Sequence, residues 1–216
     1  MPHEIVTIIG SSYFEPISAL IEKLQKYDKG REDGFQAGYY VNGYSASICI
    51  LAVICLESYV MRVRYINKAQ GKDLDIVPVP TYIANLYPDF PYKAEATEIF
   101  VVRDILAHNH LWEVSLSSHD DLGVQEIDAV RRSSGDKKYA SCLEHKTQKT
   151  KTLKLNANPI KVGVSDSKKV LQAVWKILLF LESKDRNQCY VSHLHVMHKK
   201  KMVRFGEVIG MPETCT

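Results

Sequence analysis

The chain has 216 residues, 45% of them hydrophobic and 25% charged, a composition typical of globular proteins that excludes a disordered or fibrous one. Its net charge of +3 is unevenly distributed: residues 1–130 carry 10 Lys and Arg against 18 Asp and Glu, and residues 131–216 carry 18 against 7. The basic second half indicates a surface that meets a polyanion, although a solvated face without a partner explains it equally well.

Hydrophobic periodicity predicts four helices. Apolar residues three and four positions apart indicate helices over about 12–27, 44–66, 93–116 and 167–183. The second helix contains the apolar run Ile48–Leu56, which is too long for a one-sided stripe, so we expect this helix to be central. Prolines between residues 71 and 92 predict a loop with a short helical turn near residues 82–86.

Two segments differ from the helices. Residues 130–163 are charged and rich in Lys and Thr, and residues 147–155 alternate in the manner of a solvated strand or hairpin. The basic tail, residues 184–216, alternates between residues 187 and 208 and predicts a strand pair that extends over 203–209. The predicted fold is mainly α: a four-helix bundle in one domain, 1–216, with a small β-rich basic insertion and a basic tail.

The sequence contains no signal for export or membrane insertion. The run Ile48–Leu56 is stopped by Glu57, short of the roughly 18 to 20 apolar residues that cross a bilayer, and the first ten residues lack the features of a secretory signal. The five cysteines include no short-spaced pair, which excludes a disulfide framework and a zinc ribbon. We therefore expect a cytoplasmic protein that contacts no membrane.

The third predicted helix carries three polar residues able to share one face: Arg103, Asp104 and His108. Asp104 and His108 lie one turn apart, so the carboxylate can hydrogen-bond the imidazole, and the long side chain of Arg103 reaches the same sector. Three apolar residues fall in this sector as well: Phe100, Ala107 and Leu111. A monomer has little reason to expose them, so a second copy of the helix is expected to cover them.

The stretch Arg103-Asp104-Ile105-Leu106-Ala107-His108, on a helix of a small bundle, resembles the R-x4-6-H signature of the HEPN superfamily. Arg103 and His108 match the two signature positions, and Asp104 matches the polar position after the arginine. The resemblance covers residues 10–116 and the fourth helix. It implies a four-helix bundle that forms homodimers, in which two motifs line one composite active site.

The same resemblance implies cleavage of RNA without a metal or cofactor, leaving a 2′,3′-cyclic phosphate and a 5′-hydroxyl. Many members of the superfamily are toxins of toxin–antitoxin pairs or phage-defence effectors, which adds an antitoxin protein to the candidate partners. In this chemistry His108 is the general base or the general acid, because imidazole exchanges protons near neutral pH. Arg103 neutralises the pentavalent phosphate by forked hydrogen bonds, and Asp104 orients His108.

Residues outside the motif are candidates for supporting roles. Six lysines are candidates for contacts with RNA phosphates: Lys149, Lys151 and Lys154 in the insertion, and Lys199, Lys200 and Lys201 in the tail. Tyr139 in the insertion is a further candidate. Glu57, Asn109 and His110 are candidates for support of the motif, and Glu57, if buried, needs a partner such as Arg103 or Arg62.

A histidine cluster in the tail suggests a metal site at first sight. His193, His195 and His198 lie near Cys189, but no tight second pair completes a tetrahedral ligand set, and the lysines that follow repel a cation. The same histidines serve equally well in a basic patch that contacts phosphate. No metal site is therefore predicted.

Two other functions remain open on the sequence. One is a catalytically inactive HEPN-like module that binds a nucleotide or a protein, and the other is a basic nucleic-acid-binding protein whose motif is coincidental. For the motif itself, the alternative to a catalytic role is that Arg103 and Asp104 form a surface ion pair and His108 is a surface histidine, as in most such triplets.

Overall fold

The computed structural model is mainly helical, as predicted. It describes residues 8–30, 36–71, 77–108, 112–119, 123–131, 137–144 and 146–211. The helices are α1 Phe14–Tyr27, α2 Tyr39–Ala69, α3 Val79–Leu86, α4 Lys93–Ala107, α5 Lys137–Cys142, α6 Val164–Lys184 and α7 Phe205–Val208. One-turn 3-10 helices precede α1 at Gly10–Tyr13 and α6 at Pro159–Lys161.

The strands of the described residues form three separate antiparallel pairs. They are β1 Trp112–His119 with β2 Gly123–Arg131, β3 Leu143–Glu144 with β4 Lys149–Thr150, and β5 His195–His198 with β6 Lys201–Arg204. In the first pair the register shifts between Ser115 and Leu116, which marks an irregularity in the ladder. Each pair is a local hairpin, so the helices dominate the tertiary structure.

Helix α2 is the central element, as its apolar run predicted. It packs against α1, α4 and α6, and residues such as Ile48, Val53 and Leu56 are fully buried there. By length and composition α2 could also cross a membrane, and half of its most apolar 18-residue window is buried inside the protein. The hydrophobic effect of this shared core holds the long helices together.

Several helix ends differ modestly from the predicted bounds. The long helix begins at Tyr39 rather than residue 44, because Gly38 serves as its N-terminal cap and Gly43 is accommodated inside it. Glycine lowers helix stability by about 0.5–1 kcal/mol relative to alanine, a cost that the packing of so long a helix outweighs. The last long helix begins at Val164, where Asp166 accepts the backbone N–H of Gly163 at 2.9 Å.

The largest correction concerns the third predicted helix, which does not reach residue 116. α4 ends at Ala107, and residues 112–119 form strand β1 instead. Residues 112–117 alternate between apolar and polar, and a hairpin with β2 satisfies their backbone hydrogen bonds outside a helix. Trp112 therefore lies at the start of a strand and not on the third predicted helix.

The basic insertion is less β-rich than predicted. It contains helix α5, which the sequence pattern did not predict, and its strands β3 and β4 have only two residues each. Nor is the segment 147–155 solvated throughout, because Thr150 and Leu155 are fully buried. Leu155 belongs to the main core. Other residues of the insertion, Tyr139, Cys142 and Leu143, pack against α4 in a second hydrophobic cluster.

A buried carboxylate ties the insertion to α4. Glu98 is 3% exposed, and its two carboxylate oxygens accept the backbone N–H groups of Thr152 at 2.7 Å and Leu153 at 2.8 Å. Hydrogen bonds to a charged acceptor are stronger than neutral ones, and here they satisfy an otherwise costly buried charge. Glu98 thus positions the loop that follows β4.

The basic tail forms the predicted strand pair, but only over residues 195–204, and it then turns into α7 rather than continuing as a strand to residue 209. The tail is also part of the main core, where Cys189, Val196 and Phe205 are buried. Its hairpin is bound to α1: the Ser18 hydroxyl donates to the Met197 carbonyl at 3.0 Å.

We predict that Glu98→Gln lowers the free energy of unfolding by about 2–3 kcal/mol, because the amide group presents a donor to one of the two N–H groups. Urea denaturation measures the change. Glu207→Gln, at an exposed carboxylate of α7, is the matched control and should change stability by less than about 0.5 kcal/mol. Equal effects of the two substitutions would contradict the anchoring role of Glu98.

Candidate active site

The side chains of helix α4 lie in three different environments. Ile99 and Val102 are buried in the main core, and Val101 and Ile105 are buried in the second cluster beneath the insertion. The remaining sector carries the three motif residues: Arg103, Asp104 and His108. Because packing occupies the other faces, these three side chains are left at the surface of the helix.

Arg103 is held by two carboxylates and a ring. Its Nε lies 3.2 Å from Asp104 Oδ1, and its Nη2 lies 3.7 Å from Glu57 Oε2 on α2. The guanidinium carbon lies 5.4 Å from the centre of the Phe100 ring. With 24% of its side chain exposed, Arg103 is fixed in position and still accessible from solvent.

Glu57 is the residue of α2 that reaches the motif. The sequence suggested a buried acid in need of a cation, and the ion pair with Arg103 is present. The Glu57 side chain is 40% exposed, however, so burial was the wrong reason. The contact arises because α2 and α4 are packed side by side.

The exposure of the apolar neighbours of the motif matches the prediction only in part. Phe100 is 4% exposed and belongs to the main core, so the expectation that a second copy covers it was wrong. Ala107 is exposed as expected. Leu111 lies outside the described residues, as do Asn109 and His110, the two proposed supporting residues beside the motif.

His108 occupies the C-terminal cap of α4 rather than the middle of a helix. Its backbone N–H donates to the Asp104 carbonyl at 3.0 Å, and its φ of −103° and ψ of 8° lie in the sparsely populated bridge region. The side chain is exposed. The imidazole is therefore accessible to a substrate, one helical turn from Asp104.

The six candidate lysines lie on two different surfaces. In the insertion, which packs on α4, Lys151 donates to the Ser141 carbonyl at 2.6 Å and Lys154 pairs with Glu144 at 3.2 Å. Lys149 is only partly exposed in β4. The second group, Lys199 to Lys201, is exposed at the turn of the hairpin on α1. The hairpin group is the better candidate for phosphate contacts, because two lysines of the insertion already have partners.

Each of the three tail histidines contacts different groups. His193 stacks on Tyr190 with ring centres 3.9 Å apart, and His195 Nδ1 lies 2.7 Å from the His193 carbonyl. His198 Nδ1 lies 3.1 Å from Ser18 Oγ and 3.6 Å from Glu22 Oε1. Within the described ranges, no three His, Cys, Asp or Glu side chains converge on a possible metal position.

Three of the buried cysteines, Cys49, Cys55 and Cys189, are poor nucleophiles at neutral pH. Burial raises the pKa of the Cys189 thiol to about 12, and it raises the pKa values of Cys49 and Cys55 further above their ordinary range. Thiol chemistry requires the thiolate, which is negligible at such pKa values. In the part of the chain that the structure describes, Arg103, Asp104 and His108 thus combine accessibility with suitable functional groups.

Sequence reasoning missed two exposed groups that border α2. One consists of Ile9, Met61 and Tyr65, each more than half exposed, and the other consists of the tyrosines near the start of the helix, including Tyr39 and Tyr40. Periodicity could not identify them, since it treats every apolar residue of a long helix as core. The cluster of tyrosines in the segment Tyr39–Tyr44 was the available signal.

We predict that Arg103→Ala lowers the free energy of unfolding by only about 1 kcal/mol, because its carboxylate partners are 36% and 40% exposed. Chemical denaturation measures this value. Arg186→Ala is a matched control, since Arg186 also pairs with a carboxylate, at 3.7 Å, and lies 4.2 Å from a tyrosine ring centre. A loss above about 3 kcal/mol for Arg103→Ala alone would mean that the arginine is chiefly structural.

Comparisons with protein-family models, with curated proteins and with solved structures found no match for this chain.

Proposed function

We propose that this chain is a HEPN-type, metal-independent endoribonuclease that acts in the cytoplasm as a homodimer. In this proposal α1, α2, α4 and α6 are the four helices of the HEPN bundle. The observation that carries the proposal is the position of Arg103, held by Glu57 and Asp104 and accessible from solvent, on the same helix as the exposed His108.

The spacing of the two residues suits a phosphodiester. His108 follows Arg103 by five positions, which corresponds to about 7.5 Å along the helix axis, and both side chains are flexible enough to converge on one phosphate. Glu57 Oε2 stands 3.7 Å from Arg103 Nη2, a separation longer than a hydrogen bond, which leaves room for a forked contact with phosphate oxygens.

The proposed reaction is an internal transfer at phosphorus. The ribose 2′-oxygen attacks the phosphorus as a base removes its proton, and the bond to the 5′-oxygen breaks as an acid supplies a proton to that oxygen. Arg103 stabilises the negative charge that develops on the phosphoryl oxygens. The products are a 2′,3′-cyclic phosphate and a 5′-hydroxyl, and no redox change or cofactor is required.

A dimer would supply the second proton-transfer group. One chain offers one His108, whereas the reaction needs a base and an acid, so a second copy of the motif completes the set. An apolar patch formed by Ile9, Met61 and Tyr65 supports such a pairing. Glu57, Met61 and Tyr65 recur every four residues on α2, so the patch borders the carboxylate that holds Arg103.

The biological role we propose is that of a toxin or phage-defence effector with an antitoxin protein as a partner. This role rests on the resemblance of the motif to the superfamily. The apolar patch beside the motif is a surface that either a second copy or a neutralising protein would cover.

We predict that purified protein cleaves single-stranded RNA in the presence of EDTA, and that His108→Ala lowers the cleavage rate by at least about 100-fold. Arg103→Ala should lower it by about 100- to 1,000-fold. Gel electrophoresis measures the rate, and phosphatase resistance of the product identifies the cyclic phosphate. Arg186→Ala, at an exposed arginine outside the motif and the tail hairpin, is the control and should cleave at the wild-type rate.

Each other result of this assay has a definite meaning. Unaltered cleavage by His108→Ala would refute the assignment of the catalytic group. Binding of RNA without cleavage would favour a basic nucleic-acid-binding protein. The absence of both binding and cleavage would favour an inactive nucleotide- or protein-binding module.

We also predict that Met61→Asp converts the dimer to a monomer and lowers the cleavage rate, because it places an unpaired charge in the apolar patch. Sedimentation velocity at micromolar concentration measures the oligomeric state. Met202→Asp, at a methionine of strand β6 that is also more than half exposed, should leave the dimer intact. A wild-type protein that sediments only as a monomer would contradict the composite site.

A further inference from the structure

Four tyrosines form a cluster where α1 ends and α2 begins. We call Tyr27, Tyr39, Tyr40 and Tyr44 the tyrosine platform. The ring of Tyr27 stacks on that of Tyr40 with centres 4.5 Å apart and planes 20° apart, and on that of Tyr44 at 5.9 Å and 18°. Tyr39 meets Tyr40 edge to face at 5.4 Å. The cluster thus contains parallel rings with one perpendicular ring at its rim.

The platform borders an open groove and is itself exposed. Tyr39 is 87% exposed and Tyr40 is 54% exposed in the part of the chain that the structure describes. The groove has a volume of about 390 Å³, and its other lining residues are Leu20, Asn42, Gly43 and Ser47. A methyl group placed on Gly43 would meet no atom within 4 Å, so the floor of the groove is vacant at that position.

Exposed stacked rings of this kind suit a planar ligand. Tyrosines at a surface expose a large apolar area to water, and a stacked base would remove that area from solvent. Successive unpaired bases stack on such side chains with little sequence preference, because every base has a π-face. Paired bases are already stacked in a duplex and cannot make this contact.

The surroundings of the platform carry positive charge. Lys23 and Lys26 are exposed on α1, and Lys26 Nζ lies 5.7 Å from the centre of the Tyr27 ring. At 100° per residue, Lys23 and Lys26 fall between the side of α1 that meets the tail hairpin and the side that carries Tyr27. Lysines therefore lead from the hairpin across α1 to the platform.

The acidic residues of α1 accept hydrogen bonds from the backbone of the tail hairpin. The Met197 N–H donates to Glu15 Oε2 at 2.9 Å, and the Lys199 N–H donates to Glu22 Oε1. These bonds fix the hairpin on α1. They also direct both carboxylates toward the hairpin backbone, away from the lysine side of the helix.

The turn of the tail hairpin has a backbone conformation that is unfavourable for the lysines in it. His198 pairs with Lys201, and the two central residues Lys199 and Lys200 have φ values of +50° and +64°, a type I′ turn. Asn-Gly is the favoured pair in this turn, and lysine in a left-handed conformation is strained. Strained residues persist where they serve a function, and here they place three consecutive positive charges at the tip.

We propose that this face binds a single strand of RNA, with unpaired bases stacked on the tyrosine platform and backbone phosphates held by the hairpin and α1 lysines. The inference rests on the proposed function only in naming RNA as the substrate, since binding on this face does not require cleavage. A proline-rich peptide is the main competing occupant of an aromatic groove, and the adjacent lysines favour the polyanion.

The test measures the binding of the inactive His108→Ala protein to a labelled RNA of about ten nucleotides, as a single strand and as a duplex. Fluorescence anisotropy gives the dissociation constants. The single strand should bind more tightly than the duplex. Replacement of both Tyr39 and Tyr40 by Leu should weaken its binding by about 5- to 150-fold, whereas replacement of both by Phe should retain it.

A second variant separates charge from folding. Lys199→Asn with Lys200→Gly creates the preferred turn sequence, so stability in urea should stay the same or rise. Binding of the single strand should nevertheless weaken, and the slope of log K against log salt should fall by about 0.7 for each phosphate that the variant no longer neutralises. Retained affinity in this stable variant would overturn the role of the turn lysines.

Controls make failure of the two proposals distinguishable. Tyr190→Leu, at an exposed tyrosine outside the platform, should bind the single strand as the parent does. Equal weakening by Tyr190→Leu, tighter binding of a proline-rich peptide than of RNA, or wild-type affinity of the double Leu variant would overturn the platform. Normal binding without cleavage by the wild-type protein would refute the nuclease alone, and cleavage with unaltered binding by the Leu variant would refute the platform alone.

Discussion

The burial of α2 is the constraint on which the other features of this protein depend. Its apolar side chains contact α1, α4 and α6 at once, so the position of this one helix sets the positions of the other three. Because α2 spans 31 residues, about 46 Å at the rise of an α-helix, it also extends past the core at its ends. Several of the residues to which a function is proposed lie along it: Tyr39, Tyr40, Glu57, Met61 and Tyr65.

Three separate surfaces border α2 in chain order. Tyr40 and Tyr44 meet Tyr27 of α1 near its start, Glu57 meets Arg103 of α4 further along, and Met61 and Tyr65 leave an apolar patch beyond it. The proposed strand-binding face, catalytic motif and dimer surface are thus arranged along one rigid element. A substrate bound near one surface is held in a fixed relation to the others, because a packed helix does not bend easily.

Hydrogen bonds between carboxylates and backbone N–H groups add to the hydrophobic packing. Glu98 binds two backbone N–H groups of the insertion, and Glu15 and Glu22 bind two of the tail hairpin. In each case a carboxylate on a helix satisfies backbone donors of a segment with little regular structure of its own. These anchors fix the two basic segments on different helices, the insertion on α4 and the hairpin on α1.

Reasoning from the residues alone was enough to predict the mainly helical fold, the central place of α2 and three of the four long helices to within a few residues. These features follow from hydrophobic periodicity, which is a local property of the chain. It also identified Arg103, Asp104 and His108 as residues of one helix region. The tertiary structure alone decided that α4 ends at Ala107, because the choice between helix and strand for residues 112–119 depends on a partner strand that periodicity does not represent. Three further features were visible only in the folded protein: Phe100 is buried, Lys151 and Lys154 have polar partners, and stacked tyrosines face solvent. Each of them depends on which segments meet in space, and packing among residues far apart in the chain determines that.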